Sequence, residues 1–304
     1  MNNSPQVTVI IATYNSSGTL YYTLKSLLNQ TFQDFEAWII GDACTDNSEK
    51  IVMSFSDKRL NWFNRESNAG RQGAPNNDGL KRAKGKFIAY LGHDDLWMPH
   101  HLEALHKIAS EENIDFAYPI TVGIAPEKIE YLFAQLTIGI NFNNFQTPPS
   151  SWFHKKDLLT KVGFWAENYR DIAESQDKEF FTRVYKSGAV MKAIPSLSVI
   201  KFPSPSWRSY KNRTELENTI KAYWTKIEIN PARFHTNILT RIAFEYSSYG
   251  DNMIISPKIC LRMILKYFYH KIIFIYGKDR FPLKQFLHFR YQRKMVKTNK
   301  IRGL

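Results

Sequence analysis

Short apolar runs alternate with amphipathic stretches along the first 118 residues. Val7 to Ala12 is β-branched and apolar and reads as a buried strand, with Thr13 to Gly18 a polar turn after it. A helix is expected from about Thr19 to Asn29, because Leu20, Leu24, Leu27 and Leu28 fall on one face at helical spacing. Phe35 to Ile40 is a second strand, followed by Gly41-Asp42-Ala43-Cys44-Thr45-Asp46-Asn47-Ser48 and a helix through Ile51 and Val52. Leu60 to Asn64 is a third strand, and Arg65 to Asn77 is a small-residue loop leading into a helix that reaches Ala83. Phe87 to Leu91 is a fourth, uncharged strand; a helix from about Pro99 to Glu111 and a strand over Ile114 to Tyr118 follow. Repeated β-α units of this length predict an α/β fold, a mainly parallel sheet with helices on both faces.

Beyond these units, Ser150 to Phe164 reads as a strand or turn leading into a short amphipathic helix. Glu174 to Gly188 reads as a helix with Phe180, Phe181 and Val184 on its apolar face and Gly188 as its stop. The pattern divides the chain into a domain over residues 1–210 and a mainly helical, basic region over 211–304.

Carboxylates stand at the ends of the predicted strands. Asp94 and Asp95 follow the fourth strand, and the C-terminal edge of such a sheet is where diverging loops open a crevice for ligands. Two adjacent like charges call for a cation beside them, and an all-oxygen donor set suits Mg²⁺ or Mn²⁺. The alternative is that Asp94 or Asp95 caps the next helix. Asp42 follows the second strand, whereas Thr45 or Asp46 reads as a helix cap. Gly70 and Gly73 flank Arg71 in a loop whose backbone can approach a ligand and whose guanidinium can meet phosphate; a plain loop accounts for them equally.

Composition narrows the class. The hydrophobic share of 43% is ordinary for a globular protein, and no run approaches the roughly 18 uncharged apolar residues of a membrane span. The N-terminus shows no basic region before a hydrophobic core, and there are only two cysteines, Cys44 and Cys260, so a cytoplasmic protein is expected. Charge is uneven: Asp251 to Leu304 holds 13 Lys and Arg against 2 Asp, which is +11 of the total +13. Lys258, Arg262, Lys266 and His270 recur every fourth residue among Ile259, Leu261, Met263, Leu265 and Phe268, a polar stripe on an otherwise apolar helix. Either this helix packs on the body, or the segment 257–300 lies on an anionic membrane surface.

Three segments together resemble the family 2 glycosyltransferases and their GT-A nucleotide-sugar-binding fold: Ile10-Ile11-Ala12-Thr13-Tyr14-Asn15, Gly41-Asp42-Ala43-Cys44-Thr45-Asp46-Asn47-Ser48 and Gly92-His93-Asp94-Asp95. The resemblance covers roughly residues 5 to 210. It implies a nucleotide-sugar half over 1–118 and an acceptor half over 119–210. It also implies donor contacts from Thr13, Tyr14 and Asn15, a base contact from Asp42, a metal ligand in Asp95, and a ribose or supporting contact from Asp94. Gly41 and His93 depart from the pattern, since the family often has acids or small polar residues there. The helix after Ser175 matches the family's catalytic-base segment, which assigns the base to Asp177 with Gln176 in place of the usual Glu; Glu174 is the second choice and Glu179 a further rival. His93, His100, His101 and His154 are given no role, since lone histidines are more often structural.

The resemblance thus implies an inverting, metal-dependent enzyme moving a sugar from a nucleoside diphosphate, a UDP-sugar first, to a hydroxyl acceptor such as a sugar or lipid-linked sugar. Arg71 would help hold the donor. A nucleotidyltransferase is the alternative enzyme, but Thr13 to Gly18 has one glycine and no basic residue where a phosphate-gripping loop is expected. A nucleic-acid-binding protein with a vestigial enzyme body is the alternative of another class. The nearly neutral body and the lack of a nucleic-acid motif argue against it.

Overall fold

The computed structural model describes residues 4–126, 128–133, 147–168, 172, 175–203 and 212–251. Glu174 and the segment 257–300 lie outside them. Among the described residues, β1 (Val7–Thr13), β2 (Phe35–Gly41), β3 (Leu60–Asn64) and β4 (Phe87–Tyr90) form the parallel half of one sheet, in the order β3-β2-β1-β4. The sheet continues through β8 (Phe153–Lys155), β6 (Phe116–Ile124), β9 (Met191–Lys201) and β5 (Leu96–Trp97), and β7 (Ile129–Phe133) pairs with β6. This second half is mixed: β8 runs antiparallel to both β4 and β6, β6 and β9 are parallel, and β5 is antiparallel to β9.

Helices cover both faces, as the strand alternation requires. Side chains two apart on a strand share a face, so Val7, Val9 and Ile11 point to one core, with Phe87 and Ala89 beside them. That core is closed by Leu20, Leu24 and Leu27 of α1 (Ser17–Leu28), Val52 of α2 (Ser48–Ser54), and Leu102 and Leu105 of α4 (His101–Glu111). Ile10, Ile88 and Tyr90 point the other way. They meet Leu80 of α3 (Gly73–Arg82), Leu158 and Val162 of α5 (Leu158–Val162), and Phe180, Phe181 and Val184 of α6 (Gln176–Lys186).

Where element ends differ from the sequence expectation, long-range pairing explains the shift. The fourth helix begins at His101 rather than Pro99, because Leu96 and Trp97 pair with Ile200 and Val199, and the Met98 N–H donates to the Ser198 carbonyl at 2.9 Å. β6 runs on to Ile124 because β9 and β7 flank it there.

Residues 1–235 form one compact unit, and a second begins at Thr236 inside α8 (Pro231–Asp251). Within the first unit α7 (Arg213–Ile229) lies against α1: Lys25 Nζ is 2.6 Å from Glu228 Oε1, and Arg213 Nη1 donates to the Asn15 carbonyl at 2.8 Å.

His154, buried on β8, shows how the second core is tuned. Its Nε2 lies 3.2 Å from the Tyr90 hydroxyl and its Nδ1 donates to the Lys155 carbonyl at 2.8 Å; burial pushes its pKa from 6.5 down to about 4. The unfolded chain therefore binds a proton on this ring that the folded one refuses. Stability should be full above pH 6.5 and should fall by up to about 3 kcal/mol as the pH drops towards 4. Urea unfolding at pH 7 and pH 5 measures this; a His154→Gln variant should show a smaller pH slope, and an unchanged slope would contradict the assignment.

Candidate active site

Because β3, β2, β1 and β4 are parallel, the loops after them all emerge at one edge, and side chains stitch them together. Asn15 takes a left-handed backbone (φ 44°), which its short amide side chain tolerates. Its Oδ1 accepts the Thr45 N–H at 2.8 Å and the Asp46 N–H at 3.3 Å. In return Asp46 accepts the N–H groups of Ser17 at 2.9 Å and Ser48 at 3.0 Å, fixing the starts of α1 and α2. Burial works to raise the Asp46 carboxyl, but bonds from Ser48 and Ser17 outweigh it and hold it below the usual carboxylate range. The cap position of α2 is Asn47 rather than the expected Thr45 or Asp46, and Asp46 braces both helix starts from just outside them.

Asp42 is likewise engaged. Its carboxylate accepts Arg65 Nη1 at 2.6 Å and the N–H groups of Ala69 at 3.0 Å and Gly70 at 3.2 Å, while its carbonyl accepts Asn68 Nδ2 at 2.8 Å. Arg65 also reaches Asp78 at 2.9 Å, so the loop before α3 is folded tightly over the end of β2. Half-buried Arg71 follows Gly70, whose φ of 71° suits glycine. The departure at Gly41 has a steric reason: a Cβ there would lie 2.5 Å from Asn64 Oδ1 and 2.8 Å from the Trp62 ring. Asn64 instead clamps Cys44, accepting its N–H at 2.8 Å and donating to its carbonyl at 3.0 Å. Thr13 is buried at the end of β1, and Tyr14 is half-buried after it.

At the end of β4 the two adjacent acids part company. Asp95 has no exposed surface, and both its carboxylate oxygens are taken. Oδ2 accepts the Ser150 hydroxyl and lies 3.0 Å from Lys201 Nζ, and Oδ1 accepts the Phe202 N–H at 3.1 Å. Burial works against the Lys201 ammonium, but Asp95 and then Asp94 outweigh it and hold its pKa above the usual lysine range. The expected metal role of Asp95 does not fit this arrangement, because a cation would have to displace Lys201. Asp94 is half-buried, and its carboxylate has no hydrogen-bond or ion-pair partner among the described residues. Neighbouring His93 turns its Nδ1–H to the Ala12 carbonyl at 3.0 Å, tying the end of β4 to β1. Among the described residues no three His, Cys, Asp or Glu gather as a metal centre. A divalent ion here would rest on Asp94 and on oxygens of a bound diphosphate, a donor set that suits Mg²⁺ or Mn²⁺.

The start of α6 is docked on the same edge by Gln176. Its Oε1 accepts the Gly73 N–H at 3.1 Å and its Nε2 donates to the Ala166 carbonyl at 2.5 Å. Gly73 permits this approach, since a Cβ there would meet both groups at 2.5 Å. Behind it, Asn77 accepts the Trp165 N–H and donates to the Trp165 carbonyl, each at 2.9 Å, and the rings of Trp165 and Phe180 stack at 4.8 Å. Asp177 stands next to Gln176 in the first turn of α6, half-buried, with no hydrogen-bond or ion-pair partner among the described residues. Glu179 is excluded as a rival by Arg183, whose Nε and Nη2 hold it at 2.7 and 2.9 Å. Among the described residues the edge therefore carries engaged acids, Asp42, Asp46 and Asp95, and two uncommitted ones, Asp94 and Asp177. Sequence reading missed Ser150 and Lys201, since neither has a local signal.

Comparison with known proteins bears on the family and the fold. Residues 8–164 match the model of glycosyl transferase family 2. The chain is 35% identical over 182 residues to the UDP-Glc:alpha-D-GlcNAc-diphosphoundecaprenol beta-1,3-glucosyltransferase WfgD of Escherichia coli, covering 53% of this chain and 70% of WfgD. It is 35% identical over 112 residues to WfaP, an Escherichia coli enzyme of the same named activity, covering 37% of this chain and 44% of WfaP. Among solved structures, S. aureus TarS 1-349 in complex with UDP-GlcNAc superposes with a TM-score of 0.57 at 21% identity, over 66% of this chain and 59% of that one. The mannosyltransferase PcManGT from Pyrobaculum calidifontis, in complex with GDP-Man and Mn²⁺, gives 0.51 at 13% identity over 98% and 86%. This chain thus spans less than two thirds of WfaP and of the TarS chain. The structural likenesses establish a GT-A-like fold.

Proposed function

This chain belongs to glycosyl transferase family 2, and from that premise we propose that it moves a sugar, with inversion, from a UDP-sugar to a hydroxyl of a lipid-linked sugar. The glycosyltransferase class and the use of a nucleotide sugar follow from the family, which sets aside the nucleotidyltransferase and nucleic-acid readings. Support for UDP and for a lipid diphosphate acceptor comes from the activities for which WfgD and WfaP are named. The observation that carries the mechanism is the pair of uncommitted acids, Asp94 and Asp177, on an edge where Asp42, Asp46 and Asp95 are each held by partners among the described residues.

In this reading Asp177 accepts the proton of the acceptor hydroxyl as its oxygen attacks the anomeric carbon. The new C–O bond forms as the bond to the diphosphate breaks, and the electron pair leaves with UDP. No covalent link to the protein is needed. Asp94 would hold Mn²⁺ or Mg²⁺, which when bound would neutralise charge developing on the leaving diphosphate. Asp42 shapes the loop over residues 68–70 and, with Thr13, Tyr14, Asn15 and Arg71, forms the cradle for the donor. Access to a lipid-linked acceptor is assigned to the basic segment 257–300, whose charge suits an anionic membrane surface.

Donor binding tests the reading. UDP with Mn²⁺ at about a hundred times the dissociation constant should add roughly 2.7 kcal/mol of stability, read as a thermal shift larger than with UDP or Mn²⁺ alone. At low salt the protein should sediment with anionic vesicles. Absence of any nucleotide-dependent shift would sink the donor assignment, and indifference to anionic vesicles would sink the membrane one.

A further inference from the structure

Two adjacent carboxylates at a strand end need a cation beside them, and the fold supplies one from its own chain. Lys201, the last residue of β9, is 106 positions from Asp95 in sequence, yet its Nζ lies 3.0 Å from Asp95 Oδ2. Parallel pairing of Gly123 with Lys201 and antiparallel pairing of Leu96 with Ile200 bring it there. We propose that Lys201 is the fixed cation of the acid pair and a positioning residue for the transfer: it locks the Gly92–Asp95 turn so that Asp94 is presented to the donor diphosphate before any divalent ion arrives. The proposal rests on the transferase reading above.

The turn is gripped from several sides. Ser150 Oγ accepts the Gly92 N–H at 3.0 Å and donates its own proton to Asp95, so one hydroxyl holds both ends of the turn. The Asp95 N–H donates to the Gly92 carbonyl at 3.1 Å, and a Cβ on Gly92 would lie 2.7 Å from Asp95 Oδ2. The Asp95 carbonyl accepts the Thr23 hydroxyl at 3.0 Å, which joins the turn to α1. Within this clamp the Asp95 side chain is 0% exposed and that of Lys201 20% exposed, so the ammonium is anchored on the buried acid. A fixed ammonium held beside an uncommitted carboxylate suits a site that must receive a polyanion.

The test uses the full-length protein, with UDP and Mn²⁺ as probes, and compares Lys201→Met and Lys201→Arg with the wild type by calorimetry. Lys201→Met should weaken UDP binding measured in EDTA by about ten-fold or more, because the turn loses its anchor and the acid pair repels the diphosphate uncompensated. Mn²⁺ without nucleotide should raise its melting temperature more than it raises that of the wild type, because the acid pair has lost its own cation. Lys201→Arg should restore most of both properties. Should Lys201→Met fail to fold, the neutral pair Lys201→Met with Asp95→Asn removes the uncompensated charge and should show the same loss of UDP affinity in EDTA. Wild-type UDP affinity in Lys201→Met, or in its pairing with Asp95→Asn, would reduce Lys201 to a structural ion-pair partner and overturn the inference alone. A wild-type protein that binds no nucleoside diphosphate would overturn the transferase reading with it.

Discussion

Replacing Asp177 by Asn should lower sugar transfer by about 10²-fold or more while UDP affinity stays at the wild-type level. The exchange keeps size and polarity and removes only the ability to take a proton, and general-base catalysis is usually worth about that much. Structural damage should be small, because Asp177 makes no hydrogen bond or ion pair among the described residues and α6 is held by its neighbour Gln176. The effect should appear in kcat with little change in the donor KM. Near-normal turnover would move the base to Glu174.

Asp95→Ala should give the largest loss of stability in the site. Truncating it leaves the Lys201 ammonium uncompensated and strips Ser150 and the Phe202 N–H of their acceptor. Breaking a buried pair from one side costs about 3–5 kcal/mol, or roughly 6–20 °C in melting temperature for a unit of this size. Asp94→Ala, by contrast, should melt with the wild type and lose the Mn²⁺-stimulated part of its UDP affinity. Thermal melts and calorimetry on the two variants separate the roles. A stable Asp95→Ala protein that alone had lost the metal effect would return the metal to Asp95.

The parallel half of the fold was legible in the sequence because its signals are local. Each strand from Val7 to Leu91 is an apolar run closed by a polar turn, and each helix shows its stripe within a dozen residues. The same locality exposed the acids at the strand ends. Their division of labour was not legible. Asp94 and Asp95 are adjacent and identical in type, and what commits one of them comes from Ser150 and Lys201, 55 and 106 residues away. β5 was missed for a related reason: two residues make no periodic signal, and Leu96 and Trp97 are a strand only because β9 lies beside them. The segment around Asp177 was found through its helix pattern and its likeness to a known family. The elimination of Glu179 required seeing Arg183 close on it.

The most direct test of the central claim is release of UDP by the purified full-length protein given UDP-glucose, Mn²⁺ and a GlcNAc-diphosphate-lipid acceptor, with product linkage read by NMR. The account predicts UDP release that requires donor and acceptor together, a β-linked product from the α-linked donor, and loss of both in Asp177→Asn. An α-linked product, or equal turnover by Asp177→Asn, would contradict it.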